Sequence, residues 1–161
     1  MSWHQCFYHV IWATKHRTPC LRADDAGQIE AVIRTSSREH GVIVHAVGMV
    51  ADHIHVAASI PPSLAVSEMV RRWKGRSSHL INSHRLPDTA TFAWQQGYGV
   101  LTFGRKSLPD VVAYVLNQEA RHRSGDLWAG LERTECRRAG AGGCATGEPR
   151  SCSAPTGALL A

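Results

Sequence analysis

The chain has 161 residues, 43% of them hydrophobic, with a formal net charge of +5 and a pI of about 9.2. That length suits one domain with a tail, and the hydrophobic share is enough for a core. No apolar run approaches the roughly 20 residues of a membrane span, the opening MSWHQCFYHV lacks the basic and apolar regions of a signal peptide, and the basic excess points toward a polyanionic partner.

A cytoplasmic protein is therefore expected. The five cysteines, Cys6, Cys20, Cys136, Cys144 and Cys152, are odd in number and form no CxxC pair. Neither a disulfide framework nor a zinc ribbon is indicated.

In chain order, Cys6–Thr14 (CFYHVIWAT) is rich in β-branched and aromatic residues and predicts a first strand. The turn KHRTP follows, then a helix over Asp24–His40 with Ile29, Val32 and Ile33 as its apolar stripe and Gly41 to end it. Val42–Val50 and His53–Ile60 read as a hairpin of strands around Ala51-Asp52, closed by Pro61-Pro62. A second helix is predicted over Val66–Ser83. Its stripe is Val66, Met69, Val70, Trp73 and Leu80, and Arg71, Arg72, Lys74 and Arg76 lie largely off it. A fourth strand spans Tyr98–Phe103. Ser107, with Pro109 and Asp110 behind it, reads as the cap of a helix that runs to about His122. Beyond Glu135 the composition collapses to Gly, Ala, Ser, Pro and Cys, so the expected organisation is a domain over 1–135 and a flexible tail over 136–161. The order strand, helix, strand, strand, helix, strand, extra helix predicts an α+β, ferredoxin-like split βαβ fold. It has an antiparallel sheet with helices on one face, and the last helix docks near the central strand.

Two features bear chemistry. In DHIHVAAS, His53 and His55 are two apart on a predicted strand, so both imidazoles face the same side. Such a pair can chelate a divalent cation, or it can be a pair of surface histidines, and spacing alone leaves both open. In VVAYVLNQEARHR, Tyr114 and Gln118 are four apart and share a helix face. Tyr8 and Tyr98 are the other tyrosines, and both fall in predicted strands with no ligand-type residue one helical turn away. Tyr98 lies between Gly97 and Gly99, where a base could stack. His79, His84 and His122 read as solvated helix residues, with His122 within reach of DNA. Trp73 reads as core.

The stretches FYHVIWATKHRTP, DHIHVAASIPP, SEMVRRWKGRSSHLIN, FAWQQGYGVLTFG and VVAYVLNQEARHR, in this order over most of residues 3–123, resemble the single-tyrosine HUH transposases. The likeness is strongest to their REP-associated relatives. It implies that His53, His55 and Gln118 bind a divalent metal, Mg2+ or Mn2+, and that Tyr114 is the nucleophile. The implied reaction cleaves and rejoins single-stranded DNA at hairpin-marked ends through a 5′-phosphotyrosine. The implied partners are single-stranded DNA hairpins and a second copy in a homodimer, with no membrane and no small-molecule substrate. Arg71, Arg72, Lys74 and Arg76, and the turn residues Lys15, His16 and Arg17, become candidate DNA contacts; their other reading is solvated charge. Ala51 and Arg121 depart from the family pattern, Arg121 standing where a second histidine is common. A hairpin-binding protein without strand transfer is the alternative. A replication initiator or relaxase is disfavoured because the chain has no room for a further domain.

Overall fold

A computed structural model of the chain describes residues 3–85 and 91–134. Four strands, β1 (Phe7–Ala13), β2 (Ile43–Val50), β3 (His53–Ser59) and β4 (Gly99–Phe103), form one antiparallel sheet in the order β2-β3-β1-β4. Helices α1 (Ala23–Arg38) and α2 (Val66–Ser83) cross between strands. This is the split βαβ arrangement expected of the sequence. The predicted tail, 136–161, with its three cysteines, lies outside the described residues.

Alternation along the strands divides the molecule into two layers. Val10 and Trp12 of β1 and Ile54, Val56 and Ala58 of β3 point into the main core, against Ile29 and Ile33 of α1 and Met69, Val70 and Trp73 of α2. Their sequence neighbours turn to the opposite face, where Ala46 and Ala57 meet Val111 and Val115 of a third helix. His53 and His55 belong to this second face.

α1 opens with Asp24 and Asp25 in its first turn, and Asp25 Oδ2 accepts the Arg22 backbone N–H at 2.9 Å. Both features offset the unpaired amides of a helix start. It ends before Gly41, whose φ of +67° is the left-handed conformation glycine tolerates. α2 keeps its expected bounds, but the buried stripe passes through Ser77 and Ile81, and Leu80 is only partly buried. Ser77 belongs there because its hydroxyl accepts the buried Trp94 Nε1–H at 3.0 Å and donates to Trp73 O at 2.7 Å. Ser37 does the same for Trp73 Nε1 at 3.0 Å. A buried indole without such a partner would cost about 1–3 kcal/mol.

The final helical segment departs most from expectation. Ser107 makes no side-chain cap; a short 3-10 turn, Arg105–Ser107, leads straight into α3 (Leu108–Leu116). The predicted single helix breaks at Asn117 (φ −99°, ψ 18°), whose side-chain N–H donates to Ala113 O at 2.8 Å, and continues as α4 (Gln118–Ser124). Short polar side chains that bond the preceding turn favour such breaks. α3 lies close on the sheet because β2 offers Gly48: a Cβ there would fall 2.0 Å from Val115 O. After α4, residues 126–134 have no helix or strand and run back across the same face. Among the described residues, no helix is long and apolar enough to cross a membrane.

Candidate active site

His53 and His55 are both fully buried, so they are not surface histidines. The register sets His55 between Ile11 of β1 and Gly48 of β2, beneath the end of α3. Each ring is held through its Nδ1. His53 Nδ1 lies 2.6 Å from Asp52 Oδ1, and the Asp52 carboxylate is shared with Arg17 Nε at 3.0 Å. The carboxylate accepts an Nδ1–H, which makes the 3.3 Å approach of Arg17 to the same nitrogen a contact between two donors. Burial raises the Asp52 pKa, but the His53 hydrogen bond and Arg17 outweigh it and leave the group below its ordinary value. His55 Nδ1 lies 2.9 Å from His9 Nε2, and His9 is itself fully buried. Burial, then the neighbouring His55, push the His9 pKa down to about 3. His9 stays neutral, and a single hydrogen bond joins the two rings through His9 Nε2 and His55 Nδ1. With Nδ1 engaged on both rings, Nε2 is the nitrogen each turns inward, the position left for a metal ion.

The inward nitrogens converge. His122 of α4, read from sequence as solvated, packs its ring on His53 with centroids 4.8 Å apart. One ligand atom from each of His53, His55, His122 and Glu132 lies within 4.8 Å of all the others. The Nε2 atoms of the three histidines are buried without a hydrogen-bond partner, as is Gln118 Oε1. Orphaned polar atoms in this number are costly unless something fills the space between them. Burial lowers the His55 and His122 pKa values, which keeps both rings neutral. These donors fit a divalent cation.

Tyr114 projects from α3 into the same spot. Its hydroxyl donates to Glu132 Oε1 and accepts the Trp128 backbone N–H at 3.2 Å. Its ring stacks on Trp128 with centroids 5.1 Å apart and lies 4.9 Å from the Arg121 guanidinium. Burial and then the Glu132 contact push its pKa up to about 12, against smaller opposing effects of the Trp128 N–H and Gln118. Gln118, one turn on, survives the break at Asn117: its side-chain N–H reaches Tyr114 O at 3.5 Å. Burial raises the Glu132 pKa, but His53, His55 and Tyr114 around it win and hold the carboxyl far below the usual range.

The structure thus brings His53, His55, Tyr114 and Gln118 together, with Arg17 at the rim. Lys15, His16 and Arg17 line an adjoining cavity of about 380 Å³ with Gln95 and Gln96. The α2 cluster stands on the opposite layer. Arg71 and Arg72 pair with Glu68 at 2.8 Å, Arg76 pairs with Glu39 at 2.7 Å, and Lys74 donates to the Gln95, Gln96 and Gly97 carbonyls at 2.5–3.3 Å. Tyr8 and Tyr98 pack against the main core. Sequence reasoning missed His9, His122 and Glu132. His9 alternates with the core residues Val10 and Trp12, a usable signal; Glu132 lies in an irregular stretch that offers none.

A model of the family described as IS200-like transposases matches residues 2–118. The chain belongs to the IS200-like transposase family. Among its relatives, the ISDra2 transposase of Deinococcus radiodurans is 24% identical over 119 residues, 71% of this chain and 85% of that one. The IS200 transposase of Salmonella typhimurium is 26% identical over 125 residues, 75% and 82% of the two chains. The crystal structure of a Deinococcus radiodurans R1 protein described as a transposase superposes with a TM-score of 0.58 at 25% identity, over 73% of this chain and 93% of that one. A REP-associated tyrosine transposase bound to a REP hairpin gives 0.58 at 14% identity, over 76% and 72%, a likeness of fold. Both His122 and Glu132 lie beyond the residues that match the family model.

Proposed function

We propose that this transposase cleaves and rejoins single-stranded DNA at hairpin-marked ends by metal-assisted transesterification, with Tyr114 as nucleophile. The observation that carries the reading is convergence: the Tyr114 hydroxyl and the Nε2 atoms of His53, His55 and His122 all approach one carboxylate, that of Glu132. A nucleophile and a set of unpartnered ligands that meet at one anion describe a site for a phosphodiester.

His53, His55 and Gln118 would hold the cation, with His122 as an added donor beside His53. A divalent cation supplies charge neutralisation at the scissile phosphate and favours the phenolate over the phenol. Mg2+ and Mn2+ both suit a phosphoryl site. An imidazole-rich set favours Mn2+ of the two, since Mg2+ prefers hard oxygen ligands. Tyr114 Oη forms a bond to phosphorus as the phosphorus–O3′ bond breaks. The phenol loses a proton and the departing 3′ oxygen gains one. Bond energy is retained in the phosphotyrosine, so a second 3′-hydroxyl can reverse the step and join strands without ATP. Lys15 and Arg17, at the rim, are the first candidates for the DNA backbone; Arg71, Arg72 and Arg76 are the second, and Lys74 holds the 95–97 loop. The reading includes a cytoplasmic location and a homodimer on DNA.

Incubation with hairpin-bearing single-stranded DNA and Mn2+, run on a denaturing gel, tests the proposal. A covalent adduct is expected from the unaltered protein and none from Tyr114→Phe. An adduct that survives in the variant contradicts the role of Tyr114. Hairpin retention with no adduct under any condition favours the binding-protein alternative.

A further inference from the structure

The cavity of about 380 Å³ beside the active site has two walls, the turn Lys15–Arg17 and the loop residues Gln95 and Gln96, with Thr134 also in its lining. It shares Arg17 with the rim of the site, where Arg17 Nε bonds the Asp52 carboxylate that holds His53. The turn is strained: His16 (φ 60°) and Arg17 (φ 53°) are consecutive non-glycine residues in the left-handed region. Such backbone persists where its surroundings over-determine it, and it clusters at ligand sites. Here Lys15 N–H donates to Ala93 O and Arg17 N–H to Thr14 O, both at 2.9 Å, and the Thr14 hydroxyl donates to Thr18 O at 2.7 Å.

The other wall is held by α2 from three positions. Asn82 exchanges two hydrogen bonds with the Phe92 backbone at 2.7 and 3.0 Å, and Ser77 accepts Trp94 Nε1–H at 3.0 Å. Lys74 Nζ donates to the carbonyls of Gln95, Gln96 and Gly97 at 2.5, 3.3 and 3.0 Å. An ammonium has three N–H donors and no acceptor, so the three carbonyls use all of them and leave none for a phosphate. Lys74 is thus a clamp on the loop. Gln95 is spent in the same way: its Nε2 donates to Gly97 O and Thr134 O, both at 3.2 Å, so the atom it offers a ligand is the acceptor Oε1. The Gln96 side chain is exposed and adds one donor group and one further acceptor.

We propose that this cavity is a subsite for one unpaired base of the DNA strand, that Gln95 and Gln96 select a base with an exocyclic amino group over thymine, and that Lys74 is the positioning residue that sets them. It rests on the transesterification reading for the DNA strand, but the selection itself is a matter of binding. The wall presents two acceptors and one donor group. The amino group of adenine or cytosine supplies two N–H for the acceptors, and the adjoining ring nitrogen takes the donor. Guanine has N–H groups enough to do the same beside its carbonyl. Thymine has a single ring N–H between two carbonyls, so one glutamine oxygen goes unmet. His16 brings the one aromatic ring of the lining, a surface on which the base can stack, and Lys15 and Arg17 bring charge for its phosphate. Both walls are set before DNA arrives, so little ordering is left to oppose binding.

The test measures binding of hairpin oligonucleotides by fluorescence anisotropy with Mn2+ present, in a Tyr114→Phe background so that no strand is cut. The single-stranded flank is abasic except at one position, which carries adenine, cytosine, guanine or thymine and is walked along the flank. At one position thymine should bind about tenfold more weakly than adenine. Gln96→Ala should remove the difference by weakening the adenine oligonucleotide to the level of the thymine one. Lys74→Met should remove it as well, and should leave the slope of log affinity against log salt unchanged; loss of a phosphate contact lowers that slope by about one unit. Equal affinity for the four bases at every position, a preference that survives in Gln96→Ala, or a lowered salt slope in Lys74→Met overturns the proposal. Adduct formation by the chain that retains Tyr114 separates the two readings. Base selection with no adduct leaves the subsite standing and removes the transesterification reading. An adduct without base selection leaves the reaction standing and removes the subsite.

Discussion

At the scale of single residues, the site depends on how each imidazole is held as much as on where it sits. Asp52 and His9 each engage an Nδ1 and so aim the Nε2 of that ring inward. Loss of such a partner usually lowers metal affinity about 10–100-fold. Asp52→Asn should therefore weaken Mn2+ binding by about that factor in a calorimetric titration, with the fold intact; unchanged affinity would mean that the ring is aimed by packing alone. His9 adds a pH signature. Its folded pKa, about 3, lies below the unfolded value of about 6.5. Below pH 6.5 the unfolded chain takes up a proton that the folded one refuses. Stability is then full above pH 6.5 and falls as pH drops toward the folded pKa, by up to about 1.4 kcal/mol per pH unit from this group. Urea midpoints of the metal-free protein at pH 7.5 and pH 5 check this, and His9→Asn should flatten the difference. Equal slopes for both proteins would contradict it.

At the scale of elements, α3 matters because it carries Tyr114 onto the sheet. Gly48 permits that approach, so the Cβ of Gly48→Ala, meeting Val115 O, must push α3 outward from β2. Overpacking of this kind costs about 1–3 kcal/mol; a denaturation midpoint should fall accordingly, and the Tyr114–Trp128 stack should loosen. A midpoint equal to that of the unaltered protein would show that α3 does not rest on Gly48. Much of this level was legible in sequence. Strand alternation put His53 and His55 on one face, and helical spacing put Tyr114 beside Gln118, because both rest on local geometry. Legibility ended where a residue's role depends on a distant partner. Ser77 is core because of Trp94, so the polar residue hid the true line of the stripe through Ile81. Asn117 breaks the helix through one side-chain bond, a choice a run of good helix formers does not reveal. His122 is half-buried because that break turns α4 over His53. Glu132 follows no period at all; it is placed by the path of an irregular segment.

At the scale of the whole molecule, the sheet separates two tasks. One face packs the main core against α1 and α2; the other is given to the site, with α3, α4 and the segment after them. The acidic partners of Arg71, Arg72 and Arg76 on the far layer suit a solvated helix exterior, whereas Lys15 and Arg17 border the site directly. Arg17→Ala should weaken oligonucleotide binding more than Arg71→Ala does, in fluorescence anisotropy at one fixed salt concentration; the reverse order would relocate the DNA path to α2. In the proposed reaction one buried tyrosine among three histidines forms the bond to DNA. Its most direct test is to digest the protein after reaction with hairpin-bearing single-stranded DNA and Mn2+ and to locate the attached nucleotide by mass spectrometry. A phosphodiester-linked nucleotide is expected on the peptide that contains Tyr114. A nucleotide on the Tyr8 or Tyr98 peptide, or cleaved DNA with no peptide attached, would contradict it.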